Sequence, residues 1–421
     1  MKNNRRHFLQ SAAAVTGGAL LAGIAGSKEA QAAVQSGNLP PDVPSWMKKL
    51  GTGVEAAPYG EPVKYERDVI RRNVPFLTAT TESSVSFTPL QDLDGVITPN
   101  GLCFVRDHGG TPVVDPVQHR LMIHGLVERP MVYSMVDLMR FPTESRIYFT
   151  ECAANGGMDW RGAQMQGVQF SHGMVHCCEW TGVKLSTLMN ETGVSPKAKW
   201  MLAEGADAAA MTRSIPIEKA ADDVLVAWSQ NGERLRAENG YPLRLVVPGW
   251  QANTSVKWLR RLKFGEEPWE TREETSKYTE LMADGKALQF TWAMLAKSVI
   301  TRPCPEKPLA GKGFCEVSGL AWSGLGKVKR VDVSFDGGAN WAPASLQEPV
   351  LTKSLTRFRI PWEWNGQLAY LQSRVIDETG YIQPTIVEMR KAWGSNAVYH
   401  KNAIYTWRVN QNGTVDSVEV N

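Results

Sequence analysis

The sequence predicts an α+β chain in two parts, a mixed α/β domain over residues 85–284 and an all-β sandwich over residues 285–421. Three observations predict it. Up to Pro268, apolar runs of strand length alternate with short helical patterns. Beyond Lys286 the texture changes: Val331, Val333 and Phe335 alternate with polar residues, and Asp336-Gly337-Gly338 then turns the chain. The same scheme recurs over residues 357–364 and 368–376, the second closed by Asp377-Glu378-Thr379-Gly380, with no helical periodicity between them.

In chain order, residues 1–32 read as an export leader. Arg5-Arg6-His7-Phe8-Leu9 is a twin-arginine pattern, a moderately apolar Ala/Gly/Leu run follows, and Ala30-Gln31-Ala32 offers a small-x-small cleavage site. The twin-arginine route carries folded proteins, so it suits an enzyme that loads a cofactor before export. The expected location is the periplasm, with no membrane span, since no later run is long enough. Residues 33–84 are rich in Pro, Gly and charge and read as an extended arm. Leu121 to Val127 reads as a strand, and Thr187 to Thr192 and Glu218 to Ala221 as short helices. Val224 to Gln230 runs into Asn231-Gly232, a two-residue hairpin signal, and Arg234-Leu235 starts the return. Leu243 to Val247 is another strand, stopped by Pro248-Gly249. A charged, Thr-rich connection then leads to Lys286.

The formal charge of +3 is carried by the leader, where Lys2, Arg5, Arg6 and Lys28 stand against Glu29. The remainder is near neutral, which excludes general polyanion or nucleic-acid binding. The six cysteines have no zinc spacing, and no C-x-x-C-H attaches a c-type haem to this chain. Cys304 and Cys315 flank a Pro/Gly/Lys loop and could pair. Cys177 and Cys178 read as buried core thiols.

The stretch with the most chemistry is Ile147-Tyr148-Phe149-Thr150-Glu151-Cys152-Ala153-Ala154-Asn155-Gly156-Gly157. An apolar strand delivers a cysteine to a turn of small residues, where backbone can approach a large ligand closely. A thiolate there suits a thiophilic metal. Phe104-Val105-Arg106-Asp107-His108 sets a guanidinium, a carboxylate and an imidazole side by side, and an Arg fork holds phosphate or a sulfur oxyanion. Asp207 follows an apolar strand. Asn239, Arg244, Ser255, Val256 and Lys257 add an amide, two cations and a hydroxyl around a turn. Singly, each has a bland alternative: a surface ion pair, a strand cap or a hairpin.

Together and in this order, from about Val85 to Val409, these stretches resemble the sulfite oxidase family of molybdopterin enzymes. The tail resembles that family's immunoglobulin-like dimerisation domain, through Ser318-Gly319-Leu320-Ala321-Trp322, Asp336 to Trp341 and Asn396 to Trp407. The resemblance implies one molybdenum-molybdopterin per chain. It makes Cys152 the metal ligand and, with Arg106, a catalytic residue. Phe104, Val105, Arg106, Asp107, His108, Cys152, Asp207, Asn239, Arg244, Ser255, Val256 and Lys257 fall on its cofactor contacts. Asn239 stands where the family often has His, and Asp107 where Asn is usual. Two departures concern the substrate side. Gly157 stands where sulfite oxidases carry an Arg, and Met211, ahead of Ser214-Ile215-Pro216, where they carry an active-site Tyr. Phe170 looks like a pocket Trp position. The implied pocket is roomier and less cationic, suited to sulfur arriving on another protein's cysteine.

This pattern resembles the sulfane dehydrogenase branch of the family, which acts in thiosulfate oxidation. That branch implies a c-type cytochrome subunit, a sulfur carrier protein bearing the substrate on a cysteine, and a homodimer through the C-terminal domain within a heterotetramer. The alternatives are a free sulfite dehydrogenase using cytochrome c, and a noncatalytic scaffold subunit for a cytochrome. A methionine-sulfoxide reductase of related type lacks the β-rich tail.

Overall fold

The computed structural model describes residues 45–51, 61–74, 78 and 80–420. The leader lies outside the described residues, as does part of the arm. Residues up to Val63 and those from Lys64 onward form separate units. Of the first, Ser45–Lys48 is one 3-10 turn. No helix among the described residues is long and apolar enough to cross a membrane.

Two five-stranded sheets build the first part of the larger unit. One runs Met131–Ser134, Arg120–Gly125, Leu259–Gly265, Trp200–Gly205, Thr212–Pro216, with Leu259–Gly265 parallel to Arg120–Gly125 and every other pair antiparallel. The other runs Glu233–Arg234, Leu225–Gln230, Val175–Lys184, Thr143–Glu151, and Arg244–Val246 also pairs with Leu225–Gln230. The hairpin at Asn231-Gly232 forms as expected, with Asn231 at φ 50° and Gly232 at φ 78°. Leu185–Thr192 and Ile217–Asp222 are the two expected helices, each a little longer than its apolar pattern. Their buried faces join a core with Leu121, Ile123, Met201, Leu245 and Leu262. A small sheet of Arg72–Asn73, Val85–Phe87 and Val105–Arg106 brings the Phe104 to His108 segment against this body.

The second part is the expected sandwich. Lys297–Arg302, Gly313–Trp322, Thr356–Trp364 and Ser345–Leu346 form one antiparallel sheet. Ala342–Pro343, Val328–Ser334, Ala369–Asp377, Thr406–Val409 and Val415–Val418 form the other. Trp322, Val331, Phe358, Val375 and Trp407 fill the space between them. The same cluster takes in Phe149, Val175 and Cys177 from the first part, so one core runs through both. One element departs from the all-β expectation. Ile386–Trp393 is a helix, nucleated by a capping box in which Thr385 and Glu388 satisfy each other's backbone.

Cys304 and Cys315 are both free thiols, so the possible pairing is not formed. Cys177 and Cys178 are fully buried, as expected of core positions.

Two histidines with no acidic partner among the described residues make a prediction. His172 and His400 are buried, and burial first, then the Lys297 charge, pushes both well down, His400 to about 3. The unfolded chain protonates them near the ordinary value of about 6.5, and the native chain resists. Stability is therefore full above about pH 6.5 and falls as pH drops from there towards 3. The melting midpoint measured from pH 7 to pH 4 is expected to decline across that window, and less so in His400→Phe.

Candidate active site

The strand Thr143–Glu151 ends in the buried residues Thr150 and Glu151 and hands the chain to Cys152. Cys152 N–H donates to Met174 O at 2.9 Å, and its carbonyl accepts from Asn155 N–H at 2.9 Å, closing a turn that points the thiol inward. Gly156 takes φ 84°, a left-handed conformation that a side chain would strain. At Gly157 a Cβ would lie 2.4 Å from Val398 O, because a loop from the sandwich crosses there. That crossing is the physical reason no large side chain stands at this position.

Glu151, beside the cysteine, is wholly buried. Lys297 Nζ of the sandwich donates to it at 2.9 Å and to Asn155 O at 2.7 Å. Asn155 Nδ2 and Trp322 Nε1 donate to the same carboxylate at 2.9 and 2.7 Å. The second domain thus holds the turn that presents Cys152.

The thiol faces a cavity enclosing about 710 Å³ with its open mouth included. Of the cofactor contacts expected from sequence, Phe104, Arg106, Asp107, His108, Cys152, Asp207, Asn239, Arg244, Ser255, Val256 and Lys257 line it. Val105 does not; strand alternation turns it away from Arg106 into the wall, where it is buried. Phe170 is absent from the lining too and packs edge-on to Phe87 at 5.5 Å.

The lining is electrostatically unfinished. Arg244 is 4 % exposed, donates to Asn239 O and Ser255 O at 3.0 and 3.1 Å, and stacks over Trp180 at 4.7 Å. It has no carboxylate partner among the described residues, and burial brings it down to about 10, so it stays charged at neutral pH. Lys257, also lowered by burial, pairs with Asp107 and donates to Glu238 O at 2.9 Å. Asn239 Oδ1 and both ring nitrogens of His176 are buried without partners. Buried polar atoms left unpaired are costly, and a bound group with several acceptors and donors would relieve them. Molybdopterin fits that description: Arg244 and Lys257 suit its phosphate, Asn239 and Asp207 its polar ring edges, and Cys152 a metal. Burial pushes the Cys152 thiol up, so it is a protonated thiol until a metal displaces the proton.

The front of the cavity corrects the expectation of a site short of a phenol and of cations. Tyr278, 7 % exposed, stands there beside Met211, and its hydroxyl is hydrogen-bonded to His108 Nε2 at 2.9 Å. Burial keeps the phenol protonated, and burial with the nearby Arg106 charge brings His108 down to about 3. Arg272, Lys277 and Tyr399 complete a vestibule with Ser83, Arg106, Cys152 and Ala154. Arg106 donates to Ser84 O at 3.3 Å and to Asp107 O, and has no carboxylate partner among the described residues. Its guanidinium is therefore available to an anion. Tyr278, Arg272 and Lys277 were missed because they sit in the charged connection read as a linker. The only sequence signal was an aromatic within a polar run.

Two family models match. Residues 108–273 fit the oxidoreductase molybdopterin binding domain, and residues 288–407 the Mo-co oxidoreductase dimerisation domain. The crystal structure of the sulfane dehydrogenase SoxCD from Paracoccus pantotrophus is similar with a TM-score of 0.89 and 51% identity, over 90% of this chain and 98% of that one. Mouse mitochondrial sulfite oxidase is 29% identical over 77% of this chain and 64% of its own length. Chicken sulfite oxidase is 32% identical over 59% of each chain. The NADH nitrate reductase of Ulva prolifera is 30% identical over 64% of this chain and 34% of its own length. The chain thus spans less than two thirds of these curated relatives. The cavity around Cys152, the matched domains and the similarity along nearly the whole chain agree: it belongs to the sulfite oxidase family of molybdopterin oxidoreductases.

Proposed function

We propose that this chain oxidises sulfane sulfur presented as a persulfide on a carrier-protein cysteine, and passes the electrons to a c-type cytochrome subunit. The observation that carries this reading is the 51% identity to a sulfane dehydrogenase over 98% of that chain. The remaining assignments belong to the same reading: export by the twin-arginine route to the periplasm, and a homodimer through the C-terminal domain within a heterotetramer.

The bound molybdenum cofactor supplies two-electron oxidation at sulfur. The chain's residues do the rest. Cys152 anchors the metal, and the buried Glu151–Lys297 pair fixes the turn that aims it. Arg106 holds the negative charge that accumulates as sulfur gains oxygen. The Tyr278 hydroxyl donates to the same oxygens, oriented by His108, which is neutral across the physiological range. Arg272 and Lys277 at the mouth favour an anionic substrate terminus. Tyr278→Phe keeps the ring and loses the donor; kcat is expected to fall by about 10²-fold with a smaller change in KM. Steady-state kinetics of the loaded enzyme checks this.

The cationic front, with Arg106, Arg272 and Lys277, also favours a second reading, oxidation of free sulfite. Acceptor reduction by the loaded chain separates the two. Turnover with a persulfidated carrier and little with sulfite supports the proposal. Equal or faster turnover with sulfite overturns it.

A further inference from the structure

A second cluster of soft ligands, with one member on the cavity wall and two behind it, is not used by the chemistry at Cys152. Along Val175–Lys184 alternate residues share a face, so His176 and Cys178 point the same way. Cys178 there meets Cys103, which follows the turn Asn100–Leu102, with the two sulfurs 3.4 Å apart. Both cysteines are fully buried and His176 is 3 % exposed. A ring nitrogen of His176 and the two sulfurs all lie within 4.8 Å of one another. Neither His176 nitrogen has a hydrogen-bond partner among the described residues, so this buried imidazole offers an idle lone pair beside the sulfurs. Gln230 Nε2 donates to both sulfurs, at 3.2 and 3.1 Å, and the Cys103 and Cys178 thiols reach Thr98 O at 3.8 and 3.7 Å.

The spacing suits an ion. A point equidistant from three donors so separated lies roughly 2.6 Å from each, within a few tenths of an ångström of metal–sulfur bonds of about 2.3 Å. We propose that Cys103, Cys178 and His176 bind a soft d¹⁰ cation, Cu(I), in trigonal S₂N coordination. Two thiolates and an imidazole select a thiophilic ion, and no fourth Cys, His, Asp or Glu joins the group among the described residues, against the four that structural zinc takes. Binding releases both thiol protons and leaves a centre of net charge −1. The buried guanidinium of Arg244, which has no carboxylate partner among the described residues, adds positive charge near both sulfurs. His176 also lines the cofactor cavity, which gives the ion its route in.

The test uses the full chain carrying Cys152→Ser, made without the molybdenum cofactor so that the cavity is open and its own thiol does not compete. Anaerobic titration with Cu(I) against a chromophoric copper chelator is expected to show one equivalent held by the protein. Adding Cys103→Ser or Cys178→Ser should cut the bound copper at least about tenfold (1.4 kcal/mol), whereas Cys315→Ser should leave one equivalent. Copper-edge X-ray absorption on the cofactor-loaded wild-type chain from copper-supplemented cells reads the coordination directly, so an unfolded variant does not blunt the test. Two sulfurs and one nitrogen support the site. No retained copper, copper retained in both variants, or Cys103 and Cys178 recovered as a disulfide overturns it.

Discussion

Cys152→Ser is expected to abolish turnover, a loss on the order of 10³-fold or more, while the fold remains. Among the described residues lining the cavity this is the only thiol, delivered by the turn after Thr143–Glu151. A hydroxyl of similar size keeps the packing but binds a thiophilic metal poorly. The turn itself rests on backbone hydrogen bonds to Met174 and Asn155, which the substitution does not touch. Unfolding free energy should therefore change by no more than about 2 kcal/mol. Activity and denaturant melts on the same sample check both halves. A variant that is active, or one that is unfolded, contradicts the role assigned here.

Lys297→Met has the largest expected effect on stability. Lys297 and Glu151 are 2 % and 0 % exposed, so removing the ammonium leaves a carboxylate uncompensated in the core between the two domains. Breaking such a buried pair costs about 3–5 kcal/mol. Trp322 Nε1 and Asn155 Nδ2 still donate to Glu151, which holds the loss to the lower part of that range. The double variant Glu151→Gln, Lys297→Met should recover part of it, because no buried charge then remains. Denaturant unfolding of the three proteins measures this. A single variant as stable as the parent would show that the pair does not tie the sandwich to the catalytic turn.

The strands and hairpins were legible in the sequence because each carries its own local signal. Asn231-Gly232 fixes a hairpin, and Val331, Val333 and Phe335 alternate with polar residues along a strand, although Asp332 and Ser334 between them are buried as well. The helix Ile386–Trp393 was not, because the β texture around it masked the Thr385-x-x-Glu388 capping box. The cofactor face was legible through the order of its motifs, which the fold then gathers on one cavity. Of these residues Val105 does not line the cavity, since a contiguous motif ignores strand alternation. The substrate face was harder. Tyr278 comes from a segment with no motif, Tyr399 from a run read only as part of the dimerisation domain, and the reason for Gly157, the crossing of Val398, is a contact between residues 241 positions apart in the chain. Such tertiary contacts leave no mark on neighbouring residues. The Cys103–Cys178 contact was hidden in the same way: Cys178 reads as an ordinary core thiol until its partner is seen.

The number of electrons delivered per sulfur tests the account most directly. The loaded chain, with the cytochrome subunit proposed for it, would be given a known amount of carrier-bound persulfide and the reduced cytochrome counted. Oxidation of the outer sulfur to a sulfonate, R–S–SH + 3 H₂O → R–S–SO₃⁻ + 7 H⁺ + 6 e⁻, predicts six electrons for each sulfur consumed. No reduction with that substrate, together with two electrons per molecule of free sulfite, would contradict a site for protein-bound sulfane sulfur.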